Sequence, residues 1–114
     1  MDIRIIKEPV TLEIVSEIAR EFHGNMVKGV ADVKREIIAI GGEWHIDANI
    51  KLIGDSSKQD DLWGFNFYLD RAKGEEIEYK SLINIRPAQN NRTIEIQDQE
   101  LKDKLEKIIK KLVV

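Results

Sequence analysis

The stretch that decides the predicted fold is Glu43-Trp44-His45-Ile46-Asp47-Ala48-Asn49-Ile50-Lys51-Leu52-Ile53, in which polar and apolar side chains alternate almost without exception. Successive side chains of a β-strand point to opposite faces of the sheet. The alternation therefore predicts a long strand over 43–53 with one dry face and one wet face.

Composition places the chain among ordinary globular proteins. It has 114 residues, 42% hydrophobic and 34% charged, which predicts a single domain over 1–114 with one core. The net charge of -3 disfavours binding to nucleic acid. The absence of cysteine excludes disulfides and thiolate chemistry. No apolar run approaches the ~20 residues of a membrane span, and the N-terminus lacks a signal-peptide pattern, so we expect a cytoplasmic protein without membrane contact.

The rest of the chain divides into elements by its hydrophobic periodicity. Apolar residues at steps of three and four favour a helix over 26–40, although a strand through 37–40 is the rival interpretation. The predicted strands are 2–7, 43–53, 62–69 and 76–86, with 93–97 as an optional edge strand, and the predicted helices are 11–23, 26–40 and 98–113.

This order of elements predicts an α+β fold of two layers. Short connections favour an antiparallel sheet, and three amphipathic helices need one sheet face to cover. Trp63, Phe65 and Phe67 share one face of strand 62–69, so we expect these rings to face the helices.

The wet face of the predicted sheet carries two groups of polar side chains. His45, Asp47, Tyr68 and Glu78 lie at one end of it. At the other end, loops 54–61 and 87–92 are expected to meet at a polar rim, where Arg supplies a planar fork for an anion. The candidate ligand-binding residues at this rim are Lys58, Asp60, Asp61, Asn84, Arg86, Asn91 and Arg92.

Other kinds of site find little support in the sequence. His45 and Asp47 make at most half of a metal site, and no motif supplies further ligands, so no metal and no cofactor are expected. A serine nucleophile in loop 54–61 lies far from His45 in the predicted register. The lysines of helix 98–113 share it with acids, which is typical of a solvated face.

Three stretches resemble an uncharacterised prokaryotic family of unknown function. They are Gly41-Gly42-Glu43-Trp44-His45-Ile46-Asp47-Ala48, then Asp61-Leu62-Trp63-Gly64-Phe65-Asn66-Phe67-Tyr68, and Ser81-Leu82-Ile83-Asn84-Ile85-Arg86-Pro87 followed by Asn91-Arg92. The resemblance implies a small domain that stands alone, and it implies no activity.

Two functions of different class follow from these patterns. The first is a small binding or interaction domain that associates into a homodimer, because Ile53, Leu62 and Leu82 make the wet face partly apolar. The alternative is a small enzyme whose phosphorylated or carboxylated substrate is held by Arg86 and Arg92. A small anionic ligand is the partner that the rim would bind.

Overall fold

The computed structural model describes residues 3–114 as one five-stranded antiparallel sheet with three helices. The strands lie side by side in the order β1-β3-β2-β4-β5. This confirms the α+β class. The strands are β1 (Arg4–Ile6), β2 (Met26–Asp32), β3 (Ile37–Ile40), β4 (Leu62–Tyr68) and β5 (Ile77–Glu78), and the helices are α1 (Leu12–Phe22), α2 (His45–Gly54) and α3 (Gln99–Leu112).

The main core lies between the sheet and helices α1 and α3, which form the two-layer body. Trp63, Phe65 and Phe67 of β4 pack there, as expected from their spacing. Helix α2 lies on the opposite face, where Ala48 and Leu52 pack in a smaller apolar cluster. The expectation that all three helices cover one face is therefore wrong, because the second of them forms elsewhere and covers the other side.

The predicted strand over 43–53 is a helix. Its buried residues are His45, Ala48, Asn49 and Leu52, which recur at steps of three, one and three as on one side of a helix. At its beginning, the Asp47 carboxylate accepts a hydrogen bond from the backbone nitrogen of Trp44 at 3.1 Å. The polar-apolar alternation arose because a second, exposed set of isoleucines interleaves with the buried set.

The predicted helix over 26–40 is a β-hairpin, so the rival strand through 37–40 was the correct interpretation. Every residue of β3 is buried, because β1 and β2 flank it and both faces of the sheet are covered. The charged residues between the strands form the turn. Asp32 accepts hydrogen bonds there from the backbone nitrogens of Lys34 and Arg35, both at 2.9 Å.

Of the predicted strand over 76–86, only Ile77–Glu78 joins the sheet, and Arg86 forms an isolated bridge with Asn91. Beyond Glu78 the chain crosses to a 3-10 turn at Leu82–Asn84. The optional strand over 93–97 is reduced to a single bridge between Lys80 and Glu95. The other predicted elements agree with β1, α1, β4 and α3 apart from shifted ends, and Asp2 lies outside the described residues. No helix within residues 3–114 has the length and apolarity needed to cross a membrane.

Candidate functional site

The two loops of the predicted rim do lie against each other. The Arg86 guanidinium donates through Nη1 to the carbonyl oxygen of Gln59 at 2.9 Å. The Gln89 side chain donates to the carbonyl oxygen of Asp60 at 3.2 Å. Arg86, just before loop 87–92, and Gln89, within it, thus bind loop 54–61 through its backbone carbonyls.

Arg86 is committed to this contact. It also donates through Nε to the Ile83 carbonyl at 3.1 Å and through Nη2 to the Leu62 carbonyl. Its guanidinium carbon lies 4.0 Å from the centre of the Trp63 ring. Burial lowers the pKa of Arg86, and the nearby Asp60 opposes this shift. A guanidinium bonded to three carbonyls and stacked on an indole has the surroundings of a structural clamp.

The side chains of two rim asparagines also form hydrogen bonds with the backbone. Asn84 is fully buried, accepts from the Gly64 nitrogen at 2.8 Å and donates to the Gly64 carbonyl at 3.0 Å. Its amide thus takes the place of a neighbouring strand beyond the end of β5. Asn91, 4% exposed, donates to the carbonyls of Asn84, Thr93 and Glu95 and accepts from Gln97. Both residues organise segment 79–97.

The other rim residues lie toward solvent. Lys58, Asp60 and Arg92 are exposed and Asp61 is half-buried. None of the four forms an ion pair within residues 3–114. The structure therefore brings the two predicted loops together through Arg86 and Gln89, while the interior residues Asn84, Arg86 and Asn91 serve the fold.

A cavity of about 510 Å³ opens on the other side of α2, in the range of small-molecule sites. It lies between the N-terminal turn of α2, the outer face of β2, β4 and β5, and segment 80–83. The residues that line it are Lys28, Trp44, His45, Ile46, Asn66, Glu78, Lys80, Ser81, Leu82, Ile83 and Ile94. Polar side chains of the sheet form the floor, and the large apolar members form the walls together with His45.

The floor is a row of three polar side chains across three strands. Lys28 is opposite Asn66 in the pairing of β2 with β4, and Asn66 is opposite Glu78 in the pairing of β4 with β5. Directly opposed residues share a face and lie about 5 Å apart. Asn66 donates to Glu78 Oε1 at 2.9 Å, and the Tyr68 hydroxyl donates to the same oxygen at 3.3 Å.

His45 forms one wall of the cavity and is 9% exposed. Its Nε2 lies 2.9 Å from the carbonyl oxygen of Phe65, and because that oxygen only accepts, Nε2 carries the proton. Burial lowers the pKa of His45 from 6.5 to about 4, with the Phe65 carbonyl opposing the shift and the charge of Lys28 adding to it. The imidazole is therefore neutral at pH 7.

The outer face of α2 is unusually apolar for a surface helix. Ile46, Ile50 and Ile53 follow one another at steps of four and three and are 47%, 62% and 41% exposed. Trp44, just before the helix, is 61% exposed. We call these four side chains the α2 stripe. Leu82, 78% exposed, lies across the cavity from Trp44 and Ile46.

Sequence reasoning placed His45 and Glu78 together, and both line the cavity. Asp47 does not, because it caps α2 and lies near Gly42. The sequence interpretation missed Lys28 because it placed this residue on a helix. The apolar Ala48 and Leu52, four residues apart, were the available signal for a helix, because they form its buried apolar set. Within residues 3–114 no three histidine or acidic side chains are placed to hold a metal ion.

The fold and the cavity define a small α+β domain with a ligand-sized pocket and an apolar helix face beside it. The chain belongs to the family described as protein of unknown function (DUF5674), which it matches over residues 4–112. This confirms the expected membership of an uncharacterised family. Comparison with curated proteins gave no match, and comparison with solved structures gave none either.

Proposed function

We propose that this protein is a small binding domain that associates with a second copy of itself through the α2 stripe. The observation that carries the proposal is the exposure of Ile46, Ile50 and Ile53 along one side of a helix whose other side is buried. Isolated apolar residues on a surface need no explanation, but a continuous helical stripe is typical of a contact surface.

The size of the apolar surface supports a partner. With Leu82, the α2 stripe leaves on the order of 500 Å² of apolar surface in water, which is the size of the largest apolar patch of a typical monomer, and such patches are often functional surfaces. A standard interface buries about 800 Å² on each partner, so the stripe would form most of the apolar centre of such an interface.

The charges beside the stripe favour a second copy as that partner. Glu43 and Asp47 lie at the N-terminal end of α2, and Lys51 lies toward its C-terminal end. A two-fold axis across the helix would pack α2 antiparallel to its copy. The acids of each copy would then face Lys51 of the other. The two helix dipoles would be antiparallel, which is the favourable arrangement.

The alternative, an enzyme that holds an anionic substrate through Arg86 and Arg92, has less support. Arg86 already donates to three backbone carbonyls, so little of its guanidinium is left to hold an anionic substrate. We therefore place the binding surface at α2 rather than at the rim.

Sedimentation velocity from micromolar to millimolar concentration tests the proposal. We expect a dimer that Ile50→Glu dissociates, since a charge at the centre of an interface costs more than about 2 kcal/mol, or about thirtyfold in Kd. Leu12→Glu is the matched control, because Leu12 is 47% exposed on α1, which packs on the opposite face of the sheet. A wild-type protein that stays monomeric at millimolar concentration contradicts the proposal.

A further inference from the structure

The cavity beside α2 holds three charged side chains that no ion pair neutralises within residues 3–114. Lys28, Glu78 and Lys80 line it, and none of them takes part in a salt bridge there. We infer that this cavity binds a zwitterionic α-amino acid with an apolar side chain. Self-association is not a premise of this inference, since Lys28, Glu78 and Lys80 lie outside the α2 stripe.

Glu78 is prepared to receive the ammonium group of such a ligand. Asn66 and Tyr68 both donate to its Oε1, at 2.9 and 3.3 Å, and this fixes the direction of the carboxylate. Oε2 accepts no hydrogen bond from the described residues, so it can accept one from a ligand. Hydrogen bonds between an ammonium and a carboxylate are among the strong ones in proteins.

Asn66 adds a second reason to expect a donor in this place. The residue is 6% exposed, and its Oδ1 has no hydrogen-bond partner in the described structure. Its orientation follows from Glu78, because only the amide nitrogen can donate to a carboxylate. The Asn66 side chain also lies beside the His45 ring, where it opposes the lowering of the His45 pKa by burial. An unsatisfied buried acceptor costs free energy, and a ligand donor that reaches Oδ1 would recover that cost.

Two lysines flank Glu78 and suit the carboxylate of the same ligand. Lys28 is two strands away in the floor row, and Lys80 is two residues further along the chain on the same side. An ammonium and a carboxylate on one carbon atom would therefore meet opposite charges on neighbouring positions. A ligand with a single charge would leave part of this arrangement unpaired, which is how such a site discriminates. The neutral His45 contributes no further positive charge at pH 7.

The walls set the class of side chain. Trp44 and Ile46 stand on the α2 side, and Leu82, Ile83 and Ile94 stand on the other. Apolar walls around a few convergent polar groups are the usual plan of a small-molecule site, and about 510 Å³ accommodates one amino acid with a large side chain. Aromatic or branched aliphatic amino acids fit this description best.

Isothermal titration of the full chain with L-phenylalanine and L-leucine tests the inference. We expect saturable binding of one molecule per chain. Each matched analogue should bind at least about tenfold more weakly: 3-phenylpropionate lacks the ammonium, phenethylamine lacks the carboxylate, and glycine lacks the apolar group. If neither amino acid binds up to its solubility limit, or if an analogue binds as tightly as L-phenylalanine, the inference is wrong.

Two variants assign the charges. Glu78→Gln keeps an oxygen for Asn66 and Tyr68, so it should fold as the wild type does, yet weaken L-phenylalanine at least about tenfold and leave 3-phenylpropionate unchanged. Lys28→Met should weaken the carboxylate-bearing ligands and leave phenethylamine unchanged. Glu75→Gln, at an exposed position outside the cavity, is the control.

The two proposals fail separately. Trp44 and Ile46 belong both to the α2 stripe and to the walls of the cavity, so a dimer through the stripe would cover part of the cavity. Ile50→Glu is expected to abolish self-association and to leave the amino-acid affinity of the monomer, measured below the concentration at which the wild type dimerises, unchanged, because Ile50 does not line the cavity. A wild-type monomer that binds L-phenylalanine would contradict only the dimer. Melting curves of every variant confirm that it is folded, and a folded Glu78→Gln variant with wild-type affinity would overturn the amino-acid site.

Discussion

Replacing His45 by glutamine should remove a pH-dependent part of the stability of this protein. The imidazole is buried, and its Nε2–H donates to the Phe65 carbonyl at 2.9 Å. Burial holds the pKa of His45 near 4, against 6.5 for the exposed group. Glutamine can place an amide N–H near the same carbonyl, and it does not titrate.

The size and direction of the effect follow from these two pKa values. Between about pH 6.5 and pH 4 the unfolded chain binds a proton at His45 while the folded chain does not. The stability that the neutral imidazole contributes is therefore present above about pH 6.5 and is lost as the pH falls toward 4. Each pH unit in this interval costs up to about 1.4 kcal/mol, and the whole interval costs about 3 kcal/mol.

Urea denaturation of both proteins across this pH range measures the effect. Carboxylates such as Asp55, whose pKa is lowered by its bonds to Arg35 and Lys7, titrate equally in both proteins and cancel in the difference. The free energy of unfolding of the wild type minus that of His45→Gln should fall by about 3 kcal/mol from pH 7 to pH 4. A difference that stays constant with pH would show that His45 is not buried as a neutral group.

Three further changes test the packing around the rim. Trp63→Ala should lower the free energy of unfolding by about 3–5 kcal/mol, because the ring is 5% exposed in the main core; an unchanged melting temperature would place the ring outside the core. Arg86→Ala should lower the free energy of unfolding by on the order of 3 kcal/mol, or Tm by roughly 10 °C, because three carbonyls lose a charged donor. If Arg86 served to bind an anion instead, the substitution would leave Tm unchanged. Asn84→Leu should cost about 2–5 kcal/mol, because the Gly64 N–H and carbonyl lose their partner; urea denaturation measures it, and a loss below about 1 kcal/mol would mean that water replaces the amide.

The sequence correctly predicted those elements whose hydrophobic pattern is set by a single buried side. The apolar residues of α1 and α3 recur at helical spacing because each helix has a single buried side. Trp63, Phe65 and Phe67 alternate with smaller residues, and this side of β4 packs in the main core. In each case the interior determines the whole pattern, so the period identifies the element.

The hydrophobic pattern gave the wrong element where apolar residues lie on two different sides of a helix or strand. In 43–53 the buried Ala48 and Leu52 interleave with the exposed Ile46 and Ile50, and the sum of two helical sets imitates the period of a strand. In 26–40 both faces of the strands are covered, so the apolar residues show no alternation at all.

The site shows the same division. The meeting of loops 54–61 and 87–92 followed from the predicted order of strands, and Arg86 does join them. The role of Arg86 did not follow, because the sequence is the same whether an arginine donates to backbone carbonyls or binds an anion. The cavity required α2 to be a helix, since only its N-terminal turn brings Trp44 and His45 over the floor row.

By itself, the sequence determined the class of the fold, the aromatic side of β4 and the two helices that cover it, because burial of large side chains is the dominant free energy and it leaves a periodic trace. Only the tertiary structure decided which isoleucines are exposed to solvent, which polar side chains are hydrogen-bonded to the backbone and which charges stay unpaired. Those outcomes depend on contacts between residues distant in the chain, such as Lys28, Asn66 and Glu78, and no local pattern records them.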